Sequence, residues 1–348
     1  VGDVCDPTCD YPSWVDQFGA TGWDYGYGVT TDSSGNFYVV GYTYYPADLD
    51  DTGPGPIGNY YNLVLSKYSA GRVYQWSRHL GVTTGSAWGK DVAVDNSDNV
   101  YVVGYANAAI DPGTYQDSND VLLAKYDSSG NQQWVEQFGT PAGTYGYEYG
   151  EAITVDTAGN VYVTGYSSST DTDGDGSFPG SSDIIVAKHS AATGNQVWVK
   201  QFGTVDVDYG NGIAVDSANN VYITGYVGQS FEGQAHLGGY DVYLMKLAAT
   251  YNPATDSPEW VQQIGTNGYD WGQGVAVDAS DNIYITGYFN STTLTVDSTE
   301  TTSIVVYPTG ADYDFFIAKY NSDGILQWIR VNGGDGEDRL LHAEIFND

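Results

Sequence analysis

The amino-acid sequence predicts an all-β fold in which one four-stranded unit is repeated along the chain. The composition is rich in glycine (45) and tyrosine (32) but contains one methionine, a balance that favours strands and turns over helices. Six tryptophans, from Trp14 to Trp328, recur at spacings of 62, 58, 64, 62 and 68 residues. Such a period indicates stacked supersecondary units within one domain.

Each repeat contains four strand patterns in a constant order. The first is small and apolar and ends in aspartate, as in GIAVD at 212–216, and the second is the alternating VYITGY at 221–226. A polar turn with Asn or Gly joins them, which suits a tight hairpin. The third pattern is DVYLMK at 241–246, and the fourth carries the tryptophan, as in WVKQFG at 198–203. Four antiparallel strands form the blade of a β-propeller, so we predict five complete blades.

The ends of the chain predict a partial sixth blade, shared between the N- and C-terminal strands. Residues 14–18 carry a fourth-strand pattern, and the residues after Trp328 carry only a joining segment and a first strand. These strands would close the ring with each other, pair with a neighbouring subunit, or belong to a longer native chain. We predict an extension at residues 1–13 and one propeller domain at residues 14–348. A β-solenoid is the competing repeat fold, but its rungs are usually much shorter than about 60 residues.

These motifs resemble one known family. W-V-x-Q-F-G, G-V-A-V-D-x-x-G-N-V-Y-V-T-G-Y and D-x-x-x-A-K-Y recur across about residues 14–332 and are similar to the SBBP-type bacterial β-propeller repeat. The resemblance implies a propeller in a secreted or cell-surface protein, mostly without an assigned biochemical activity.

Charge and hydropathy disfavour several classes of partner. Lysine and arginine number 11 against 44 aspartates and glutamates, and the formal net charge of −33 repels nucleic acid and anionic membrane surfaces. No run of about 18 apolar residues occurs and the first residues lack a signal-peptide pattern, so we expect a soluble mature chain without membrane insertion. Five lysines recur in the third strand, where we expect ion pairs with carboxylates. They are Lys67, Lys125, Lys188, Lys246 and Lys319.

One acidic loop predicts a structural calcium site. Asp171, Asp173 and Asp175 alternate in DTDGDGS, followed by a glycine at the bend and by Ser177. Alternate carboxylates of this kind match the first half of a calcium-binding loop. Ser182 stands where the closing glutamate is expected, and the alternative is a solvated acidic loop.

The N-terminal cysteines predict a disulfide. Cys5 and Cys9 lie close together in CDPTC, and a small disulfide loop would hold the N-terminus in an oxidising compartment. The alternative is a pair of metal thiolates, but no further cysteine or nearby histidine completes a four-ligand site. Asn290 begins an N-S-T glycosylation sequon, which is compatible with a surface loop.

The segment that leads into each first strand brings acids and aromatic residues together. If it lies at one mouth of the propeller channel, aromatic faces and carboxylates there would hold a sugar ring. The alternative is that the aromatic side chains only separate neighbouring blades. The candidate residues are Trp23, Asp24, Trp88, Glu148, Tyr149, Asp208, Tyr209, Asp270 and Trp271.

Enzymatic signatures do not stand out. The four histidines fall at unrelated positions, and no H-E-x-x-H, G-x-S-x-G or phosphate-binding loop occurs. We therefore predict a secreted, non-catalytic structural or interaction protein of the cell surface, which self-associates through its terminal strands and variable loops into a filament or surface layer. The alternatives are a glycan-binding propeller and, less favoured, a carbohydrate-active enzyme.

Overall fold

The structure is a computed structural model. It describes residues 22–44, 60–81, 84–110, 119–139, 146–168, 181–291, 293–296, 304–305, 313–333 and 338–339. These residues form strands and turns, and no helix among them is long and apolar enough to cross a membrane. The named strands pair in antiparallel fashion throughout, so the predicted all-β fold is confirmed.

Five four-stranded sheets follow one another along the chain. The first contains β1 (Asp24–Thr31), β2 (Phe37–Tyr44), β3 (Tyr61–Tyr68) and β4 (Tyr74–Leu80). The second contains β5 (Ala87–Val94), β6 (Val100–Ala106), β7 (Asp120–Tyr126) and β8 (Gln132–Phe138). The third contains β9 (Glu148–Val155), β10 (Asn160–Ser167), β11 (Asp183–Ser190) and β12 (Gln196–Phe202).

The fourth sheet contains one hairpin in addition to its four blade strands. The fourth contains β13 (Tyr209–Val215), β14 (Val221–Val227), β15 (Asp241–Leu247) and β16 (Trp260–Gly265). The fifth contains β17 (Asp270–Val277), β18 (Ile283–Phe289), β21 (Asp314–Tyr320) and β22 (Leu326–Asn332). The chain between β18 and β21 contains β19 (Thr293–Val296) and β20 (Ile304–Val305). These two strands form a hairpin, and β19 pairs with β16 of the fourth sheet.

The five sheets are propeller blades around a central channel. The strands of each blade pair in chain order, and the first strands contact one another in the order β1, β5, β9, β13, β17. Residues from all five first strands line one cavity. The tryptophan-bearing fourth strand is therefore the outer one of the four blade strands, with the β19–β20 hairpin added beyond it in the fourth blade, and the prediction of five four-stranded blades is confirmed.

Residues 338–339 lie where a sixth blade would begin. The backbone N–H of Asp338 donates to the carbonyl oxygen of Tyr313 at 2.7 Å, as Asp270 N–H donates to Tyr240 at 2.9 Å at the start of the fifth blade. The Arg339 guanidinium lies 4.8 Å from the Tyr313 ring centre. The predicted pairing of the two terminal strands lies outside the described residues.

Four recurring residues form one row across each blade. In the fourth blade, the Tyr222 hydroxyl donates to Asp216 Oδ2 at 2.9 Å, and Lys246 Nζ lies 5.8 Å from the centre of the Tyr222 ring. The ring centroids of Tyr222 and Trp260 are 5.9 Å apart, and the other blades repeat this contact at 6.0–6.3 Å. The row packs aromatic surface and satisfies the aspartate at the end of the first strand.

The recurring lysines join neighbouring blades. Lys67 Nζ donates to the carbonyl oxygen of Ser128 at 3.0 Å, and Lys125 Nζ to that of Ala191 at 2.9 Å, each in the following blade. The predicted ion pairs occur at three of the lysines. They are Lys67 with Asp32 (3.4 Å), Lys246 with Glu259 (3.0 Å) and Lys319 with Asp278 (3.7 Å).

We expect Asp216→Ala to lower the free energy of unfolding by about 3 kcal/mol, because charge-assisted hydrogen bonds are lost. The Asp216 carboxylate accepts the N–H groups of Ala218 and Asn220, the Asn220 amide and the Tyr222 hydroxyl, at 2.7–3.0 Å. Urea denaturation measures the change, with Asp323→Ala, at an exposed residue of an equivalent-length outer turn, as the control. Equal stability of the two variants would contradict the role given to Asp216.

Candidate functional site

Two glycines in every blade allow the inner strands to come close. They pair across the first and second strands, and in the second blade they are Gly89 and Gly104. A Cβ at Gly104 would lie 1.8 Å from the carbonyl oxygen of Trp88, and a Cβ at Gly89 would lie 2.6 Å from that of Gly41 in the first blade. Neither position has space for a side chain, so backbone packing requires both glycines.

A β-bulge follows the first of these glycines in all five blades. Between Gly89 and Asp91 the pairing with β6 skips Lys90, and the other first strands skip the equivalent residue. A bulge leaves its extra residue outside the ladder and redirects its side chain. We call the five skipped residues the bulge ring. They are Tyr27, Lys90, Glu151, Asn211 and Gln273.

The bulge ring surrounds one mouth of the central channel. Its five residues line a cavity of about 370 Å³, in which Tyr27 is 51% exposed and the other four are half-buried. Further along, the channel continues as a cavity of about 290 Å³ lined mainly by valine, alanine and isoleucine. The channel therefore carries polar side chains at this mouth and aliphatic side chains further along the first strands.

The two charged members of the ring neutralise each other. Lys90 Nζ lies 3.1 Å from Glu151 Oε2 and 4.8 Å from the centre of the Tyr27 ring. Loss of solvent raises the pKa of Glu151, and the nearby Lys90 ammonium opposes this rise. Asn211 Nδ2 donates to the carbonyl oxygen of Gly272 at 2.7 Å, and this bond uses one of the two N–H donors of the amide. The ring as a whole combines donors and acceptors with little net charge.

Asp91 lines both cavities, whereas the equivalent residues of the other blades have no side chain beyond Cβ. Asp91 Oδ1 accepts the N–H of Val92 at 2.8 Å, and Oδ2 accepts the N–H of Ile153 in the third blade at 3.0 Å. Withdrawal from solvent inside the channel raises the pKa of Asp91 to about 7. Both oxygens contact the backbone, so Asp91 bridges the second and third blades.

Three acids predicted at the mouth are buried instead at the starts of the first strands. Glu148, Asp208 and Asp270 have no exposed surface. Asp270 accepts the N–H and the hydroxyl of Thr266 at 2.7 and 2.9 Å, and Glu148 accepts the hydroxyl of Ser167 at 2.9 Å. These carboxylates hold the turns that lead into each blade. Because they are buried, these three carboxylates do not reach the mouth.

The predicted aromatic residues belong to a continuous band of rings. Within blades, the ring pairs Trp88–Tyr105, Tyr149–Tyr166, Tyr209–Tyr226 and Trp271–Tyr288 have centroids 4.6–5.0 Å apart. Between blades, Tyr105 lies 4.6 Å from Tyr149 and Tyr166 lies 3.9 Å from Tyr209. These rings therefore pack together across the junctions between neighbouring blades, and a ligand-binding role for them stays a prediction.

Trp23 and Asp24 lie at the entry to the first blade. Trp23 is 67% exposed. Asp24 is also exposed, and its carboxylate accepts the hydroxyl of Thr43 on the neighbouring strand. The first blade is thus the one place where the predicted acid and aromatic residue both reach the surface.

The predicted calcium site and disulfide lie outside the described residues. Asp171, Asp173, Asp175 and Ser177 fall in the segment 169–180, and Cys5 and Cys9 fall in the segment 1–21. Both features stay predictions. Asn290 is described: its Oδ1 accepts the N–H of Tyr269 at 2.8 Å, and glycosylation at this residue also stays a prediction.

Comparison with protein-family models matches the chain in five segments, described as a beta-propeller repeat. They are residues 13–44, 75–110, 133–171, 197–226 and 259–294. Each segment begins one residue before a recurring tryptophan and continues through the first and second strands of the next blade. The chain belongs to the SBBP beta-propeller repeat family.

The individual relatives of this SBBP propeller are distant. An uncharacterized WD repeat-containing protein of Acanthamoeba polyphaga mimivirus is 26% identical over 170 residues, which span 45% of this chain and 12% of that protein. A crystal structure of a protein of unknown function from Bacteroides caccae aligns with a TM-score of 0.44 and 11% identity over 89% of this chain and 82% of its own. A polysaccharide lyase aligns with a TM-score of 0.42 and 11% identity, over 77% and 55%. Such scores carry no argument about function.

Sequence reasoning did not identify the bulge ring, although a signal for it exists. The residue after the first-strand glycine is Tyr, Lys, Glu, Asn or Gln in the five copies, so it is polar every time and never the same. This variable position lies within a strand, whereas the sequence analysis looked for function in the variable loops of the SBBP propeller.

We expect the melting temperature to fall by on the order of 5 °C between about pH 6.5 and pH 8.5. Burial raises the pKa of Asp270 to about 8, and desolvation raises that of Asp91 to about 7, both from 3.8. The folded state therefore holds protons that the unfolded state has released, and stability is lost as pH rises through these values. Buried His189, whose pKa falls to about 4, opposes this trend only below about pH 6.5.

Scanning calorimetry in about 1 M salt, which screens the surface charge, isolates the buried groups. Asp270→Asn should reduce the fall. The matched control Asp278→Asn should keep it, because hydrogen bonds lower the pKa of Asp278 to about 2, far from this window. A melting temperature that is constant or rises over this pH range would contradict the raised pKa values of Asp270 and Asp91.

Proposed function

We propose that this SBBP propeller is a secreted, non-catalytic interaction protein that binds its partner at the mouth of its central channel. The bulge ring carries the proposal. The scaffold is repeated five times, yet it directs five different polar side chains into one cavity. A purely structural position would tolerate the same residue in every blade, whereas five different residues give the cavity the asymmetric donors and acceptors that select a ligand.

The non-catalytic part of the proposal rests on how the titratable groups are engaged. Glu151 pairs with Lys90, and both oxygens of Asp91 accept backbone N–H groups. The described residues that line the cavity include no histidine, cysteine or serine that would form a nucleophile–base pair. This arrangement supports binding better than general acid–base or covalent catalysis.

The secreted location and self-association rest on the sequence alone. Residues 1–21 and 340–348 lie outside the described residues, so this part of the proposal draws no support from the fold.

Ligand-observed NMR with a mixed library of small neutral, anionic and cationic compounds tests the proposal. We expect at least one class to bind the wild-type protein and to bind Gln273→Ala about tenfold more weakly, since one or two hydrogen bonds are lost. Gln327→Ala on the outer strand β22, where the amide only donates to the Ile325 carbonyl, is the matched control. No binding by any class, or equal binding by the two variants, would overturn the site.

A further inference from the structure

The size of the cavity limits the ligand to a small unit. A volume of about 370 Å³ is near the lower end of the range of about 300–1,000 Å³ that is usual for small-molecule pockets. Asp91 lines both this cavity and the aliphatic cavity further along the channel. A single compact group, free or at the end of a chain, fits such a space.

The charge of the mouth favours a neutral ligand. Lys90 is already compensated by Glu151 at 3.1 Å, so an anion would have to displace the carboxylate and would also meet a chain of net charge −33. A cation would face the Lys90 ammonium, and the attraction of Asp91 in the same cavity is weakened because its raised pKa of about 7 leaves the carboxyl partly protonated near neutral pH. The ammonium and the amides donate, while the carboxylate and the amide oxygens accept. Hydroxyl groups do both, so a polyhydroxylated ligand matches this mixture.

The first blade adds one exposed aromatic ring to the cavity, that of Tyr27, and two further exposed rings precede it in the chain. Trp23, Tyr25 and Tyr27 are 67%, 42% and 51% exposed. Tyr25 and Tyr27 both pack against Tyr42, with centroids 4.9 and 5.6 Å apart, so their rings are held in place. The C–H face of a sugar ring packs well on such a surface, while its hydroxyls reach polar neighbours.

We infer that the bulge ring binds one neutral sugar residue, which stacks on Tyr27 and bonds through its hydroxyls to Lys90, Glu151, Asn211 and Gln273. The inference rests on the proposed function and names the chemical class of its ligand. It uses a different set of side chains from the buried acids that the sequence suggested, and Tyr27 is the member that joins the stacking surface to the polar ring.

Three sugars with the same ring separate the effect of charge. Glucose, glucuronate and glucosamine are neutral, anionic and cationic, and galactose and mannose series with their charged counterparts extend the comparison to other hydroxyl patterns. By ligand-observed NMR titration we expect a neutral member to bind with a Kd on the order of 1 mM. Its charged counterparts should bind at least tenfold more weakly.

Variants then locate the binding. Tyr27→Ala and Gln273→Ala should each weaken binding of the neutral sugar about tenfold, since both side chains reach solvent and neither is part of the core. Tyr27→Phe keeps the stacking ring and should bind as the wild type does. Tyr74→Ala removes an exposed ring from the outer strand β4 and is the matched control, with no expected effect on binding.

The outcomes distinguish this inference from the function on which it rests. If a charged sugar or a compound of another class binds and Gln273→Ala weakens it while neutral sugars do not bind, the inference fails and the proposed function stands. If neutral sugars bind all variants equally, they bind elsewhere and the inference fails. If nothing in either library binds at the mouth, both fail.

Discussion

The close approach of neighbouring inner strands is the constraint on which the rest of the structure depends. A carbonyl oxygen of the first strand faces Gly104, and a carbonyl of the preceding blade faces Gly89, so neither residue can carry a side chain. Backbone packing at this pair brings blade against blade around a narrow channel. The first strand bulges at the next residue, and each bulge turns one side chain into the channel mouth. The same repeated phrase therefore builds the scaffold and positions the residues that differ.

Away from the channel, the acids of this very acidic chain divide into two groups. At the hairpin turns, aspartates such as Asp95 accept several N–H groups and the hydroxyl of a tyrosine, and these bonds lower the pKa despite partial burial. At the starts of the first strands, burial dominates and raises the pKa of Asp208 to about 6. Aspartate therefore stabilises the hairpin turns as an anion. At the starts of the first strands, its raised pKa brings it closer to the protonated form. The environment decides which, because solvation and hydrogen bonds act on the charged form in opposite directions.

Local patterns in the sequence predicted the strands and the hairpin turns that join the first and second strands, because each depends on periodicity or on a few adjacent residues. The aromatic row that joins Asp216, Tyr222, Lys246 and Trp260 could not be predicted, since its members come from four strands and meet only through the pairing register. The placement of Glu148, Asp208 and Asp270 was harder still. Their spacing allowed either the mouth or the interior. Thr266, which binds Asp270, comes from the preceding blade junction, whereas Ser167, which binds Glu148, comes from the second strand of the same blade. The bulge at Lys90 breaks the alternation of the strand by a single residue, too small a change to detect from hydropathy.

The central claim is that the five bulge residues form one ligand-binding mouth. A crystal structure of the protein soaked in the neutral sugar that binds most tightly measures this most directly. We expect density for one sugar residue in the cavity of about 370 Å³, with hydroxyls at about 2.7–3.2 Å from at least two bulge-ring side chains and a ring face against Tyr27. Sugar density found only on the outer faces of the blades, with an empty cavity at a saturating concentration, would contradict the claim.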